Sequence, residues 1–288
     1  MLTKDAAFTT EDIAYLDHGT QSGAGPLMLR YFRPAGPGPF PLIVDLHGGA
    51  WTMGDLSGCQ ARDEVLAGAG FAAAALDFRH AGDGYPTSLI DINYAIRWLK
   101  AQAGRLAIDP GRVALTGQSS GGHLAMLSAM RPRDPRYTEV PLEGGGGAQT
   151  AEVRCVGMTW PVINPLSRYR HALRLRAGAE PPAWTGNIPE RHDLYWQNEE
   201  NMAEGNPLMA LERGEDLATP PAIWIQGQPD EIHDYRDPDS ELALNEPERF
   251  AARYREAGGE IEVCYIEQAA RDKASLEPLV AFFKQHLT

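Results

Sequence analysis

Cysteine is scarce in this chain. Its 288 residues include three, Cys59, Cys155 and Cys264, with no CxxC pair and no dense spacing. That excludes a disulfide-stapled fold and predicts free thiols in a reducing compartment, with Cys155 and Cys264 buried in apolar runs. Long apolar runs are also missing, since none reaches the ~18 residues that a membrane span needs. Residues 1–12 lack the basic start and apolar stretch of a secretory signal. Excess positive charge is absent too. The formal net charge is −13, which argues against nucleic acid, because phosphate contacts need Lys and Arg, and gives no attraction to anionic membranes. Together these absences predict a soluble, cytoplasmic protein that binds neither nucleic acid nor membrane.

What is present is a large apolar share, 43% of residues. A chain of this length buries a sizeable core without staples and suits one large domain carrying an insertion. Short apolar runs alternate with longer helical patterns, which predicts a mostly parallel sheet covered on both faces. Residues 41–46, 71–76, 112–115, 153–158, 221–225 and 261–266 read as buried strands, and 27–32 as an earlier, antiparallel one. Helical spacing appears over 89–103, through Ile92, Ala95, Ile96 and Leu99. It recurs over 120–130, over 248–257 before Gly258-Gly259, and over 275–287. Residues 164–216 break the rhythm with paired prolines, Trp184, Tyr195, Trp196 and many charges, and read as an insertion over the sheet. The glycine run 144–147 reads as a flexible loop.

Two motifs carry chemistry. Gly117-Gln118-Ser119-Ser120-Gly121 fits the G-x-S-x-G pattern, a sharp strand-to-helix turn that presents a serine hydroxyl at a helix N-terminus. It follows the strand at 112–115 and precedes the helix at 120–130, the context that the motif requires. Ser119 is therefore the expected nucleophile. His47-Gly48-Gly49-Ala50-Trp51 follows the strand at 41–46, and its glycines leave backbone N–H groups unobstructed. The N–H groups of Gly48, Gly49 and Ser120 are the expected donors to a developing oxyanion. His47 and Trp51 are expected to line the site, with Trp184 and Trp196 of the insertion walling a substrate pocket.

At these motifs the chain resembles the hormone-sensitive-lipase-like group of α/β hydrolases, and its HGGxW form is similar to kynurenine formamidases and feruloyl-esterase-like proteins. Asp77-Phe78-Arg79, Tyr85-Pro86, Gly121-Gly122-His123-Leu124-Ala125, Asn206-Pro207 and Gly227-Gln228-Pro229-Asp230 extend the likeness. The resemblance implies an α/β-hydrolase fold, with an eight-stranded, mostly parallel sheet, flanking helices and a cap at 164–216 within one domain, 1–288. It also implies a serine hydrolase cleaving a carboxylic ester, or a small amide or lactone, with no cofactor and no metal. The expected partner is a small ester-like molecule, and a homodimer is left open. Asp230, after a strand and in the order Ser…Asp…His, is implied as the acid that orients the base.

The chain departs from the group at the histidine. The loop after the last strand reads Glu267-Gln268-Ala269-Ala270-Arg271, and no histidine occurs over 234–285. Arginine cannot act as a base. His18, His80, His171 and His192 fall in loops or the insertion, His123 resembles a packing residue, and His286 ends the last helix. His233, three residues after Asp230, is the expected replacement. Its closeness to Asp230 raises a geometric difficulty, which Glu231 or Asp234 would relieve by orienting the ring instead. The competing reading is a pseudo-hydrolase that binds a ligand without turnover, with His233 merely lining the pocket.

Overall fold

A computed structural model describes residues 7–18, 25–142 and 149–288. The glycine run 144–147 and the start of the N-terminal stretch lie outside the described residues. The strands are β1 (Phe8–Leu16), β2 (Leu27–Pro34), β3 (Phe40–Leu46), β4 (Ala72–Leu76), β5 (Ile108–Gln118), β6 (Val156–Thr159), β7 (Ala222–Gln228) and β8 (Ile261–Glu267). They form one eight-stranded sheet in the order β1-β2-β4-β3-β5-β6-β7-β8. The pairs β1–β2 and β2–β4 are antiparallel, and β3 through β8 pair in parallel. This is the expected α/β-hydrolase architecture.

The apolar runs are continuous because both faces of the parallel part are covered. On β3, Leu42, Val44 and Leu46 face one core while Ile43 faces the other. Helices α1 (Gln60–Gly68), α2 (Thr87–Ala101), α3 (Ala103–Leu106) and α4 (Ser120–Met130) follow the early strands. Between β6 and β7 lie α5 (Pro165–Arg176), α6 (Ile188–Trp196), α7 (Glu199–Glu204) and α8 (Pro207–Glu212). The chain ends with α9 (Glu246–Glu256), α10 (Arg271–Ala274) and α11 (Leu276–Leu287). Helices α2, α4 and α9 pack with one core, and α1 and α11 with the other. A Cβ at Gly157 would lie 2.4 Å from Leu279, so β6 needs a glycine for α11 to pack this closely.

The edge strand β1 was not anticipated. Its first half, Phe8 to Asp12, faces water through Thr9, Thr10 and Glu11, so it lacks the apolar signal of a core strand. The cysteines are free, as expected, and Cys59 and Cys155 are buried, but Cys264, expected to be buried, is only half-buried because β8 is an edge strand of the sheet. Among the described residues, no helix is long and apolar enough to cross a membrane.

One buried polar cluster braces the sheet beneath the serine turn. Arg62 on α1 donates from Nε and Nη2 to the two oxygens of Asp45 on β3, at 2.6 and 2.5 Å. Its Nη1 reaches Gln118, the residue before Ser119, at 3.2 Å. The fork satisfies a charge that would otherwise be stranded in the core.

Candidate active site

The parallel strands deliver their C-terminal loops to one edge, where ligands of open α/β sheets bind. At the end of β5 the chain turns sharply into α4, and Ser119 takes φ +53° and ψ −119°. A non-glycine residue there is strained by about 1–3 kcal/mol, held only because its surroundings fix it. Those surroundings are close-packed glycines. A Cβ on Gly121 would lie 2.2 Å from the Leu46 carbonyl, and one on Gly117 would lie 2.4 Å from that of Gly121. Backbone bonds clamp the turn from both sides, Ser119 N–H to the Thr159 carbonyl at 3.0 Å and Val162 N–H to the Ser119 carbonyl at 3.1 Å.

The HGG loop comes from β3 and meets this turn. A Cβ on Gly48 would stand 3.5 Å from the Ser119 Cβ, and Gly49 has φ +127°. Gly48, Gly49 and Ser119 are all partly exposed. The Gly48 and Gly49 N–H groups donate to no backbone carbonyl among the described residues outside regular elements, and Ser120 opens α4, where an N–H has no intrahelical partner. His47 shapes this loop from below. Its Nδ1–H donates to the Gly48 carbonyl at 2.9 Å, and its ring stacks on Phe78 at 4.3 Å. Burial holds its pKa below the ordinary imidazole value.

The histidine comes from the loop after β7. His233 Nδ1 lies 2.8 Å from Asp230 Oδ2, and its Nε2 lies 3.3 Å from the Ser119 hydroxyl. A carboxylate only accepts, so Nδ1 carries the proton and Nε2 is free to accept from the serine. The three-residue separation works because Asp230 also folds its own loop. Its Oδ1 accepts the N–H groups of Ile232 at 2.9 Å and His233 at 3.2 Å, while Gln226 Nε2 donates to Oδ2 at 3.2 Å. Asp234 is occupied elsewhere, accepting from Gln228 and Asn245. Burial alone would raise the Asp230 pKa, but the bond to His233, its charge and the two N–H donors outweigh it and hold it below the ordinary value. Burial likewise keeps His233 below its ordinary value, against the opposing pull of Asp230 and with help from the Arg168 and Arg271 charges. A neutral imidazole bonded to a serine and backed by a carboxylate is arranged to take a proton from the hydroxyl.

Arg271, in the position where the group's histidine was expected, lies over the Trp160 ring at 4.6 Å and 3.9 Å from Asp230. It adds positive charge beside the acid without donating to it at hydrogen-bond distance.

Trp51 and Trp196 are not where a substrate pocket would need them. They are 2% and 0% exposed and cross at 5.3 Å, edge to face. Trp51 Nε1 donates to His123 Nδ1 at 3.2 Å, and His123 Nε2–H donates to the Gly205 carbonyl at 2.7 Å. Burial pulls the His123 pKa down to about 4, consistent with this neutral bridging form. Trp196 stacks on Tyr85 at 4.9 Å. Rather than lining a pocket, these rings pin helices 164–216 to the HGG loop and α4, because a large flat side chain stabilises most when both faces are covered. Trp196→Ala is expected to lower stability by about 3–5 kcal/mol in urea unfolding, without reordering ester preference. Trp184 is half-buried and packs on His171 at 5.8 Å, which itself stacks on Tyr235.

A narrow cleft beside His233 is bounded by Val162, Ile232, Tyr235, Arg168 and Glu246. Arg168 and Glu246 were not singled out from sequence. Each lies in a strongly charged run, where nothing in the spacing marks the member that turns inward.

Comparison with known proteins supplies an independent line. The "Probable carboxylic ester hydrolase LipM" of Mycobacterium tuberculosis is 39% identical over 103 residues, covering 35% of this chain and 24% of the relative. The "Carboxylic ester hydrolase LipN" of the same organism is 36% identical over 126 residues, covering 42% and 32%. An arylesterase of Saccharolobus solfataricus is 26% identical over 215 residues, covering 72% and 63%. The chain thus spans between a quarter and two thirds of the length of these curated relatives. Among solved structures, a Pyrobaculum calidifontis esterase superposes with TM-score 0.72 at 21% identity, over 97% of this chain and 86% of that one. A thermostable carboxylesterase cloned from a metagenomic library gives TM-score 0.73 at 19% identity, over 97% and 90%. At such identity these likenesses establish the fold. The family described as BD-FAE matches residues 30–237, and with a match over well more than half its length the chain belongs to the BD-FAE family.

Proposed function

We propose that this protein is a serine hydrolase that cleaves a carboxylic ester through an acyl-enzyme on Ser119. The observation that carries the reading is the unbroken chain of contacts from Asp230 through His233 to the Ser119 hydroxyl, at 2.8 and 3.3 Å. In acylation, His233 Nε2 takes the hydroxyl proton as Ser119 Oγ attacks the ester carbonyl. The N–H groups of Gly48, Gly49 and Ser120 stabilise the resulting oxyanion, each worth roughly 3 kcal/mol in such sites. The imidazolium, stabilised by Asp230, returns its proton to the departing alkoxide and releases the alcohol. Water, deprotonated by the same ring, then hydrolyses the acyl-enzyme. The names of the curated relatives, all esterases or ester hydrolases, support ester over amide chemistry. The pseudo-hydrolase reading rested on the histidine missing after β8, and His233 meets that need from the neighbouring loop.

Residues 164–216 act in this proposal as a cap. Their helices lie between β6 and β7, and α5 brings Arg168 to the cleft at His233. The reducing-compartment reading of the three thiols supports a cytoplasmic setting. The test is turnover of p-nitrophenyl esters graded by acyl length. Saturable hydrolysis of at least one member is expected, and a folded protein that hydrolyses none would contradict the proposal.

A further inference from the structure

Helix α5 carries four arginines, and three of them reach carboxylates. Arg170 pairs with Glu199 at 2.6 Å, Arg174 with Asp239 at 3.1 Å and Arg176 with Glu190 at 2.6 Å. Arg168 is different. It is 5% exposed, and its Nε and Nη1 are buried with no hydrogen-bond partner among the described residues. Its side chain borders the cleft that His233 also borders, a space of about 10 Å³, so any occupant larger than a water must widen it. A buried guanidinium without a counter-ion costs several kcal/mol, so the position asks what anion completes it.

Among the described residues, no group near the cleft accepts a hydrogen bond from these two nitrogens. Asp230 already accepts from His233, Gln226 and two backbone N–H groups. Tyr235 donates its hydroxyl to Ser167 at 3.1 Å, and burial pushes its pKa well up, so it is a neutral phenol. Glu246 borders the same cleft, but its nearest cation is Arg249 at 3.7 Å. Burial lifts Glu246 to about 8, leaving it mostly an uncharged acid at neutral pH. Arg168 itself falls only to about 10 and keeps its charge. A buried cation that feels the Asp230 charge, but whose Nε and Nη1 have no hydrogen-bonded partner among the described residues, thus stands at the cleft that ends on His233.

We infer that Arg168 binds a carboxylate carried by the substrate, so that the preferred esters are anionic, with the charge a short distance from the scissile bond. The inference rests on the ester-hydrolase reading of Ser119 and His233. A planar carboxylate suits a guanidinium through charge-assisted hydrogen bonds, and Glu246, as a neutral acid, adds a donor beside it without repelling the anion.

The test uses two ester pairs that differ by one carboxylate. Monomethyl glutarate is set against methyl pentanoate for charge on the acyl side, and 4-acetoxybenzoate against 4-methylphenyl acetate for charge on the alcohol side. The quantity read is the ratio of kcat/KM, charged over neutral, in wild type, Arg168→Met and Arg168→Lys. In at least one pair the wild-type ratio should exceed about 10, and Arg168→Met should cut it about 10- to 100-fold, the worth of a hydrogen bond to a charged group. Arg168→Lys, which keeps the charge and guards against a misfolded Met variant, should fall between. A wild-type ratio near one in both pairs, or a ratio that survives Arg168→Met, overturns the inference. So does a Met variant that melts lower with its ratio unchanged, the mark of a purely structural residue. Calorimetric binding of the same esters to Ser119→Ala, with and without Arg168→Met, separates the two claims. Arg168-dependent binding of the charged esters without wild-type turnover keeps the anion site and removes the hydrolase reading. Turnover of neutral esters without a charge preference does the reverse.

Discussion

Ser119→Ala is expected to lower kcat by roughly 10^4- to 10^6-fold, the range seen when a serine nucleophile is removed. The loss is large because no other group can form the acyl intermediate. The fold should be untouched. The Ser119 hydroxyl bonds His233 and no other described group, and alanine tolerates φ +53° no worse than serine does. Urea midpoint and Tm should therefore match the wild type within the error of the measurement, while steady-state hydrolysis of the best ester vanishes. A variant that keeps a tenth of the wild-type rate would remove Ser119 from its role.

How far this site was legible from sequence differs from residue to residue. The convergence of Ser119 with Gly48 and Gly49 was readable because backbone geometry leaves a local signature: the turn needs glycines where strand and helix touch. The buried strands were readable because two covered faces make an unbroken apolar run. His233 was visible only by elimination. Its three-residue distance from Asp230 is short for such a pair, and the pairing works because Asp230 Oδ1 accepts the Ile232 and His233 N–H groups, which fold the loop back on itself. Trp51 and Trp196 were misassigned because composition marks an aromatic as large and apolar but does not say whether its faces meet substrate or, as here, His123 and Tyr85. Arg168 was hidden among its helical neighbours, since only tertiary packing decides which arginine of α5 loses its carboxylate. Strand β1 was missed for the opposite reason, an edge whose outer residues need no apolar character.

His233→Ala should be nearly as damaging as loss of the serine, about 10^4-fold in kcat/KM. The proposed donors at Gly48, Gly49 and Ser120 would still stabilise an oxyanion, but the serine proton would have no acceptor. The variant should also lose a pH dependence. A group whose pKa is depressed in the folded protein is neutral, and active as a base, above that value. Burial together with the Arg168 and Arg271 charges lowers His233, so wild-type kcat/KM should rise with pH through an ionisation below about 6.5, the ordinary imidazole value, and then level off. In the alanine variant that ionisation should be gone. An arginine at the position of Arg271 cannot replace it, because its proton stays on at every accessible pH.

The most direct measurement is the rate at which a serine-reactive phosphonate labels Ser119, followed by mass spectrometry of the Ser119 peptide as a function of pH in wild type and His233→Ala. Labelling needs an activated hydroxyl but neither deacylation nor a known substrate. Stoichiometric labelling of Ser119 in the wild type is predicted, rising through an ionisation below about 6.5 and slowed by several powers of ten in His233→Ala. Labelling of His233→Ala at the wild-type rate and with the wild-type pH profile, or a wild type that remains unlabelled, would contradict the account.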